Sequence, residues 1–372
     1  MRILVLLPEV YSRKGGIQTY NKCLINALYE ISRKGNYSLT VHILNDQKKD
    51  LETDLFINKN IISLKAFNQN KIVFALLTIY EIFSSDIIIF GHINFLPITR
   101  VAYAIKRHFK SYLIVHGIDA WKRLKNSDIK TLLRINNILS VSNFTKDELC
   151  KFNPLNKERV LILSNTLDPE FEYNYKDTKS VSVTREKLSL PHGKMILTVS
   201  RLQKVDSYKN IDLLIKALPE IVEEIPDTFY VIIGRGDDTE RLKQIAKYYR
   251  MDKKVIFKED VELNNLLSFY NTCDLFVLPS LKEGFGIVFL EAMYFSKACI
   301  GADAGGIPEV IKNGETGILC NPNNIRELSL AVIKLLKDDK LRAEMGKSGK
   351  KRLEEYFSFE MFKKNLEKIL LQ

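Results

Sequence analysis

The sequence has few cysteines, and their arrangement excludes a zinc site or a disulfide framework. Its 372 residues include five Cys, an odd number, widely spaced and without a CxxC pair. Scattered thiols are typical of a reducing compartment, where structural disulfides are rare. We therefore expect free thiols and no bound metal.

Long apolar runs are also missing. No segment reaches 18 uncharged apolar residues, the length that a membrane-spanning helix requires. The opening MRILVLLPEV has only five apolar residues between Arg2 and Pro8, which is too short for the core of a signal peptide. We expect a cytoplasmic protein.

The common nucleotide fingerprints are absent or incomplete. No P-loop GK[ST] motif is present, which disfavours a nucleoside triphosphatase. A GxG follows an apolar run at Gly234-Arg235-Gly236, but Thr239 stands where a dinucleotide-binding fingerprint would have its third glycine. An oxidoreductase is therefore a weakly supported alternative.

Positive charge is abundant and unevenly distributed. The net charge is +11, and the stretch from Arg100 to Arg134 has nine Lys or Arg against two acids, together with the only tryptophan. Such a patch suits an anionic membrane surface or a phosphate-bearing substrate, and a solvated lysine-rich face is the alternative. We assign the candidate acceptor or membrane contacts to Lys106, Arg107, Lys122 and Arg123, and expect no nucleic-acid partner.

Apolar runs that read as strands alternate with helical patterns along the whole chain. In the first half they are ILVLL (3–7), TVHIL (40–44), DIIIF (86–90), SYLIV (111–115) and NILSV (137–141). In the second half they are MILTVS (195–200), FYVII (229–233), KVIF (254–257), DLFVL (274–278) and ACIG (298–301). This alternation predicts α/β domains with parallel sheets covered on both sides.

The length suits two domains rather than one core. Polar residues 168–187 have little periodicity and read as the connection between two doubly wound halves. We predict an N-terminal domain over 1–167 and a C-terminal domain over 168–356. The amphipathic stretch 357–372, with Ser358 as a plausible N-cap, is expected to pack back on the first domain.

The segment DLFVLPSLKEGFGIVFLEAM (274–293) carries the strongest chemical pattern. A buried strand leads into a loop, and a helix is expected to begin near Phe285 or Gly286. Gly284 and Gly286 allow backbone amides to approach a ligand, and a helix N-terminus attracts anions. Glu291, about five residues into the helix and therefore roughly 7–8 Å along its axis, is placed to accept from ribose hydroxyls.

The E-G-F-G motif followed by a second Glu, spaced E-x7-E, resembles the signature of the family-four retaining glycosyltransferases of GT-B type. Other segments fit the same family in order and spacing: KGGIQTY (14–20), HGID (116–119), VSNFTKDEL (141–149), VSRL (199–202) with Lys209, GGIPEVI (305–311) and NGETGIL (313–319). The resemblance spans nearly the whole chain and implies two facing Rossmann-like domains.

The resemblance also implies a role for each matching residue. Arg201 and Lys209 would hold the diphosphate of a nucleotide sugar in place of a metal, and Glu291 would bind ribose. His116 and Glu283 would contact the transferred sugar at the reacting centre. The remaining donor contacts would come from the glycines and amides of Gly15, Gly16, Gly284, Phe285, Gly286 and Ile287.

The chain departs from the family pattern at three places. Lys209 is followed by Asn210 where the family often has glycine, and Lys258-Glu259-Asp260 replaces a common glycine near the expected position of the base. NPNN (321–324) stands where an acid often caps the next helix, and Asn324 is itself a good N-cap.

The resemblance implies a retaining, metal-independent transfer of a hexose from a nucleotide sugar to a glycan or lipid-linked acceptor during cell-surface polysaccharide or glycolipid synthesis. Peripheral association with the inner face of the cell membrane belongs to this hypothesis. The alternatives are a GT-B transferase with a soluble sugar-phosphate acceptor and a non-catalytic sugar-nucleotide binding protein.

Overall fold

The computed structural model describes residues 1–53, 62–171, 186 and 188–371. Most of the polar connection predicted at 168–187 lies outside these residues. Contacts between Cα atoms divide the chain into two compact units. The first unit comprises Met1–Asp168 with Phe359–Gln372, and the second comprises Pro169–Ser358.

The first unit contains a parallel sheet with the strand order β3-β2-β1-β4-β5-β6-β7. Its strands are β1 (Arg2–Leu7), β2 (Ser38–Ile43), β3 (Ile62–Ala66), β4 (Ile87–Phe90), β5 (Lys110–Val115), β6 (Asn137–Ser140) and β7 (Val160–Ile162). All residues of β4, and all but the first of β1 and β5, are buried. This is why these strands read as continuous apolar runs, since a sheet covered on both faces excludes polar side chains.

The helices of the first unit cover this sheet. They are α1 (Gly16–Gly35), α2 (Lys71–Ser84), α3 (Leu96–Ile105), α4 (Asn126–Leu132), α5 (Asn143–Phe152) and, at the end of the chain, α13 (Phe359–Leu371). Short 3₁₀ segments span Lys48–Thr53, Ile93–Phe95 and Lys157–Arg159. Buried residues of α2, α3, α4 and α5 form one apolar cluster with β1, β4, β5 and β6.

The second unit contains a parallel sheet with the strand order β10-β9-β8-β11-β12-β13. Its strands are β8 (Met195–Val199), β9 (Phe229–Ile233), β10 (Val255–Lys258), β11 (Leu275–Leu278), β12 (Cys299–Ala302) and β13 (Gly317–Cys320). Every residue of β9, β11 and β12 is buried.

The helices of the second unit alternate with its strands. They are α6 (Ile211–Glu224), α7 (Thr239–Tyr248), α8 (Leu263–Thr272), α9 (Ile287–Tyr294), α10 (Ile307–Val310), α11 (Ile325–Lys337) and α12 (Asp339–Arg352). A 3₁₀ segment spans Lys204–Lys209, and a π-helical turn spans Leu353–Phe357. Asn324 caps α11 as expected, because its side chain accepts a 3.1 Å hydrogen bond from the amide of Glu327.

The C-terminal helix α13 packs against α1. Lys363 Nζ lies 2.5 Å from Glu30 Oε2, and the Tyr20 and Phe362 rings meet edge to face at 5.5 Å. The hydroxyl of Tyr112, on β5, donates to the carbonyl of Ile369 at 3.0 Å. The last helix therefore belongs to the first unit, although the whole second unit separates the two in sequence.

The sequence pattern did not predict three of the strands, and all three lie at sheet edges. They are β3, β7 and β13, of which β3 and β7 are half-exposed over most of their length. An edge strand is covered on fewer sides, so its sequence lacks the continuous apolar run that marks a central strand. The predicted strands agree with the structure within two residues at each end.

The structure also bears on membrane-spanning helices and on the cysteines. Across the described ranges, no helix has both the length and the apolar character needed to cross a bilayer. All five cysteines are free thiols, four of them buried.

Candidate functional site

Each sheet reverses its strand order beside its first strand, between β1 and β4 in the first unit and between β8 and β11 in the second. In doubly wound sheets, ligands bind outside the carboxyl ends of the strands at such a reversal, because the following loops diverge there and leave a crevice. In the second unit, the loop after β8 contains Arg201 and the loop after β11 contains Glu283. The two strongest candidates therefore lie on the two loops that the topology favours.

The loop after β8 is organised by a buried aspartate. Asp206 is 7% exposed; its Oδ1 accepts a 2.8 Å hydrogen bond from the Tyr208 hydroxyl, and its Oδ2 lies 3.1 Å from Arg201 Nη2. Burial, together with the hydrogen bond to Asp206, raises the pKa of Tyr208, so this phenol stays protonated. The Arg201 side chain is 57% exposed and available to a ligand.

Two glycines pack the loop after β9 against this arginine loop. A Cβ at Gly234 would lie 1.8 Å from the carbonyl oxygen of Ser200, and one at Gly236 would lie 1.9 Å from that of Leu202. The amide of Leu202 donates to Arg235 O at 3.1 Å. The GxG sequence therefore supports the position of Arg201 and needs no dinucleotide to explain it.

The loops after β8 and β11 are joined by hydrogen bonds and an ion pair. The carbonyl of Tyr208 accepts from the amide of Leu281 at 2.7 Å. Lys209 Nζ forms an ion pair with Glu283 Oε1, and the two side chains are only 16% and 12% exposed. Two residues that are 74 positions apart therefore form one partly buried charge pair.

Asn210 explains the first departure from the family pattern. Its backbone is left-handed, with φ 54° and ψ 32°, and it directly precedes α6. Glycine adopts this conformation without strain, and asparagine is among the few other residues that tolerate it. The Asn210 side chain also donates to Pro322 O at 3.0 Å, a contact that glycine could not make.

The backbone of Glu283 is fixed by the glycine turn after β12. The amide of Gly306 donates to Glu283 O at 2.8 Å. A Cβ at Gly305, where φ is +61°, would lie 2.6 Å from that same oxygen, and a Cβ at Gly306 would lie 2.3 Å from Gly284 O. The GGIPEVI segment thus holds the Glu283 loop by a close backbone approach.

Helix α9 begins one to two residues later than expected. Its N-cap is Gly286, which has φ 98° and supplies no side-chain cap. An uncapped helix N-terminus can accept an anion at its first amides. The side chains of Phe285 and Ile287 are 2% and 7% exposed, so only their backbone groups are candidates for ligand contact.

Glu291 is the fifth residue of α9, about 6 Å along the axis from Ile287. Its Oε2 accepts a 2.5 Å hydrogen bond from the hydroxyl of Tyr270, which is fully buried on α8. Burial, and secondarily the Glu291 carboxylate, raises the pKa of Tyr270 and keeps it a donor. Tyr270 therefore orients Glu291, and no sequence motif pointed to it.

In the first unit, Gly15 and Gly16 end the loop after β1 and begin α1. Asp46, three residues after β2, is fully buried and accepts from the amide of Tyr11 and the hydroxyl of Ser12, each at 2.8 Å. Gln18 donates to Glu9 at 2.6 Å. Asp46 thus fixes the glycine loop, a role that sequence reasoning missed.

His116 follows β5 and contacts the end of β4. Its Nε2 lies 2.9 Å from the carbonyl oxygen of Gly91, which can only accept, so Nε2 carries the proton. Burial lowers the pKa of His116 to about 4, and the neutral ring presents Nδ1 as an acceptor. The Tyr20 ring meets it edge-on at 5.1 Å, which brings α1 and His116 together.

A second histidine stacks on the first. The rings of His92 and His116 are 5.9 Å apart and nearly parallel. His92 Nδ1 accepts from the amide of Asn94 at 3.1 Å, and Nε2 lies 3.7 Å from Asp119 Oδ2. Burial lowers the pKa of His92 to about 4 and raises that of Asp119.

The four predicted patch residues differ in exposure. Arg107, Lys122 and Arg123 are exposed. Lys106 is half-buried, and its ammonium donates to the carbonyl oxygens of Phe83 at 3.1 Å and Ser85 at 2.6 Å. Its charge therefore stabilises the C-terminus of α2, where a cation complements the helix dipole.

Within the second unit, the structure thus brings Arg201, Lys209 and Glu283 together, with Asp206 and Tyr208 as supports. Glu291 is held separately by Tyr270. Among the described residues, no group of three or more His, Cys, Asp or Glu side chains is placed to hold a metal ion.

Comparison with known proteins assigns a family. The family described as "Glycosyl transferases group 1" matches residues 182–352. An uncharacterised glycosyltransferase of Methanocaldococcus jannaschii is 30% identical over 239 residues, which are 63% of this chain and 60% of that protein. The N-acetyl-alpha-D-glucosaminyl L-malate synthase of Bacillus anthracis is 30% identical over 283 residues, which are 71% of this chain and 72% of that protein.

A crystal structure of Anabaena HepE in complex with UDP superimposes with a TM-score of 0.79 at 19% identity, and the match covers 100% of both chains. At this identity the likeness concerns the fold alone. The predicted fold class is confirmed: α/β, with two Rossmann-like parallel-sheet units of GT-B type.

Proposed function

This chain belongs to the group 1 glycosyltransferases, and from that premise we propose that it transfers a hexose from a nucleotide sugar to a glycan or lipid-linked acceptor with retention of anomeric configuration. The proposal includes the family-four assignment on the E-x7-E motif of Glu283 and Glu291. The observation that carries it is the ion pair between Lys209 and Glu283, on loops that meet at the strand-order reversal of the second unit.

The proposed donor site is built around this pair. The guanidinium of Arg201 and the ammonium of Lys209 would neutralise the diphosphate, with the uncapped amides at Gly286 and Ile287 as further donors. Glu283 would accept hydroxyls of the hexose, and Glu291, oriented by Tyr270, would accept those of ribose. The cations would take over the electrostatic role that a metal has in other transferases, so we propose metal-independent chemistry.

The acid–base properties of His116 limit its role. Because Nε2 is committed to Gly91 O and the ring is neutral, His116 would accept a hydrogen bond from a hexose hydroxyl through Nδ1. It is unsuited to donate a proton to the leaving phosphate. We therefore propose front-face transfer in which the leaving-group charge is stabilised by Arg201 and Lys209. Gly15 and Gly16 are proposed as further donor contacts.

The printed names of similar proteins guide the choice of donors to test. HepE has been crystallised with UDP-glucose, and the B. anthracis relative is named for N-acetylglucosaminyl transfer. We would incubate the protein with UDP- and GDP-sugars in EDTA and follow donor consumption by ¹H NMR, which also reports the anomeric configuration of the product. Turnover in EDTA with retention supports the proposal, and an inverted product or a strict metal requirement would contradict it.

A soluble acceptor is the second candidate. The B. anthracis relative is named for L-malate, a small soluble acceptor. Lipid-linked acceptors are favoured by the exposed cations Arg107, Lys122 and Arg123, which would attract an anionic surface. Replacing Lys122 and Arg123 by Gln should reduce transfer to a lipid acceptor and spare a short soluble one, whereas equal rates on both would favour the soluble alternative.

One variant distinguishes a transferase from a non-catalytic sugar-nucleotide binding protein. Diphosphate binding does not require Glu283, so Glu283→Ala should abolish turnover while a nucleoside diphosphate still binds. A wild-type protein that binds nucleotide sugars and neither transfers nor hydrolyses them would establish the binding protein instead.

A further inference from the structure

Helix α2 (Lys71–Ser84) is apolar on its solvent side as well as on its core side. Phe74, Thr78 and Ile82 are buried and recur every four residues, as expected for a core-facing stripe. The opposite side exposes six large apolar side chains, at 74% for Ile72, 42% for Val73, 63% for Leu76, 40% for Leu77, 73% for Tyr80 and 60% for Phe83.

These exposed side chains form one continuous stripe. Ile72, Leu76, Tyr80 and Phe83 follow the spacing of neighbouring turns along one helix face, and Val73 and Leu77 widen it. Single exposed apolar residues are ordinary, but a contiguous patch of this kind marks an interaction surface.

Exposed cations lie near both ends of the stripe. Lys71 is exposed at the first turn of α2. Lys106 is hydrogen-bonded to Phe83 O at the last turn, which places the exposed Arg107 beside that end. The acid of this helix, Glu81, is half-buried and paired with Lys65 at 2.9 Å. Cations therefore flank both ends of the stripe. The exposed acid nearest to the helix in sequence, Asp86, lies two residues beyond its C-terminal end and accepts a 2.8 Å hydrogen bond from the amide of Arg2.

We propose that the solvent side of α2 docks in the plane of an anionic phospholipid surface. Aromatic side chains such as Tyr80 and Phe83 favour the interface between headgroups and acyl chains, and flanking cations favour anionic headgroups. At 14 residues the helix is about 21 Å long, shorter than the roughly 30 Å hydrocarbon core, so it suits the surface plane. The inference rests on the membrane association proposed above and is independent of the transfer reaction.

A second copy of the chain fits this face less well. Two-fold pairing of the stripe brings the ends of two α2 helices together. In an antiparallel pair Lys71 of one copy meets Arg107 of the other, and in a parallel pair each of these residues meets its own equivalent. Each arrangement places cations opposite cations, and the nearby exposed acid, Asp86, is already hydrogen-bonded to the amide of Arg2, which disfavours association. Anionic headgroups neutralise both ends at once.

The test is vesicle flotation with matched variants of the full chain. The α2 variant carries Leu76→Gln and Tyr80→Gln. The control carries Leu330→Gln and Tyr248→Gln, which replace a leucine 52% exposed and a tyrosine 81% exposed on helices of the second unit. The vesicles are phosphatidylcholine alone or mixed with phosphatidylglycerol. Far-UV circular dichroism and Trp121 fluorescence check the folding of each protein.

Wild type and control should bind the mixed vesicles and show little binding to phosphatidylcholine alone. The affinity of the α2 variant for the mixed vesicles should fall by a factor of about ten or more, since two anchoring side chains are lost. Equal binding by the α2 variant and the control would overturn the inference. A wild type that is dimeric in sedimentation velocity, with a monomeric α2 variant, would also overturn it by showing a protein partner on this face.

Activity separates this inference from the proposed function. The α2 variant should retain wild-type consumption of the nucleotide sugar with a soluble acceptor. A wild type that binds anionic vesicles through α2 but consumes no nucleotide sugar would contradict the proposed function and leave the docking surface in place.

Discussion

The ion pair between Lys209 and Glu283 offers a direct measure of how strongly the second unit organises its candidate site. The pair joins two loops and is at most 16% exposed on either side. We predict that Lys209→Met and Glu283→Gln each destabilise the second unit, because each leaves one partner partly buried without its counter-charge. The double variant Lys209→Met/Glu283→Gln should be more stable than the sum of the two single losses predicts.

The expected loss of stability follows from the burial of the ion pair. A hydrogen bond to a charged group contributes about 1.5–3 kcal/mol, and leaving a partly buried charge unpaired removes that contribution and adds part of its desolvation cost. An exposed pair would contribute only about 0–1 kcal/mol. We therefore expect each single variant to lose about 1–3 kcal/mol, with a coupling energy of about 1–2 kcal/mol between the two positions.

The assay is denaturant unfolding of the wild type, both single variants and the double variant. The chain contains one tryptophan, Trp121, which lies in the first unit. Its fluorescence therefore reports the first unit, while circular dichroism reports both. The variants should lower the stability seen by circular dichroism and leave the Trp121 transition nearly unchanged.

A coupling energy below about 0.5 kcal/mol would refute the reasoning, since it would equal the value of an exposed pair. The two loops would then be held by Tyr208 O and the glycine contacts alone. An equal shift of the Trp121 transition would also contradict the assignment of the effect to the second unit.

Three further predictions follow from the contacts described. Gly306→Ala places a Cβ 2.3 Å from Gly284 O and should lower the rate of donor consumption about tenfold or more. The melting point seen by Trp121 fluorescence should change little. An unchanged rate would show that the glycine turn is not needed to hold the Glu283 loop. Asn210→Gly should keep most activity and Asn210→Ala should lose about 1 kcal/mol of stability, because only alanine strains the left-handed backbone; equal stabilities would refute this. The folded-state pKa of His116 is lowered to about 4 from an ordinary value of 6.5, so the unfolded chain binds its proton first. His116 should therefore contribute about 1.4 kcal/mol per pH unit to the loss of stability of the first unit as the pH drops from 6.5 towards 4. Because the pKa of His92 is lowered in the same way, His116→Asn should remove only this contribution from the slope followed by Trp121 fluorescence, and an unchanged slope would contradict the prediction.

The sequence was sufficient to predict the central strands and the doubly wound fold, because strands buried on both faces must be apolar throughout. It did not predict β3, β7 or β13, where edge positions relax that requirement. It placed the start of α9 near Phe285 or Gly286, and the structure begins the helix at Ile287 after the left-handed Gly286. Such boundaries depend on backbone angles rather than composition.

Within the site, motif spacing identified the charged residues but not their supports. Glu283 and Lys209 were expected to bind different parts of one ligand, and their direct ion pair was not foreseen. Asp206 lies inside the Arg-plus-Lys loop and could have been found as the acid nearest to Arg201 in sequence. Tyr270 lies 21 residues from Glu291 on another helix, and only the packing of α8 against α9 brings them together.

Arg201 and Lys209 are the proposed diphosphate site of the second unit, and every other proposed donor contact is arranged around them. The most direct measurement is isothermal titration of nucleoside diphosphates, in EDTA, into the wild type, Arg201→Ala and the charge-matched control Arg250→Ala. We predict that Arg201→Ala weakens binding of the nucleoside diphosphate by a factor of about ten or more, since a charge-assisted contact to phosphate contributes about 1.5–3 kcal/mol. The Arg250→Ala control should retain wild-type affinity. Equal affinity in all three proteins, or binding that disappears with EDTA, would contradict the central claim.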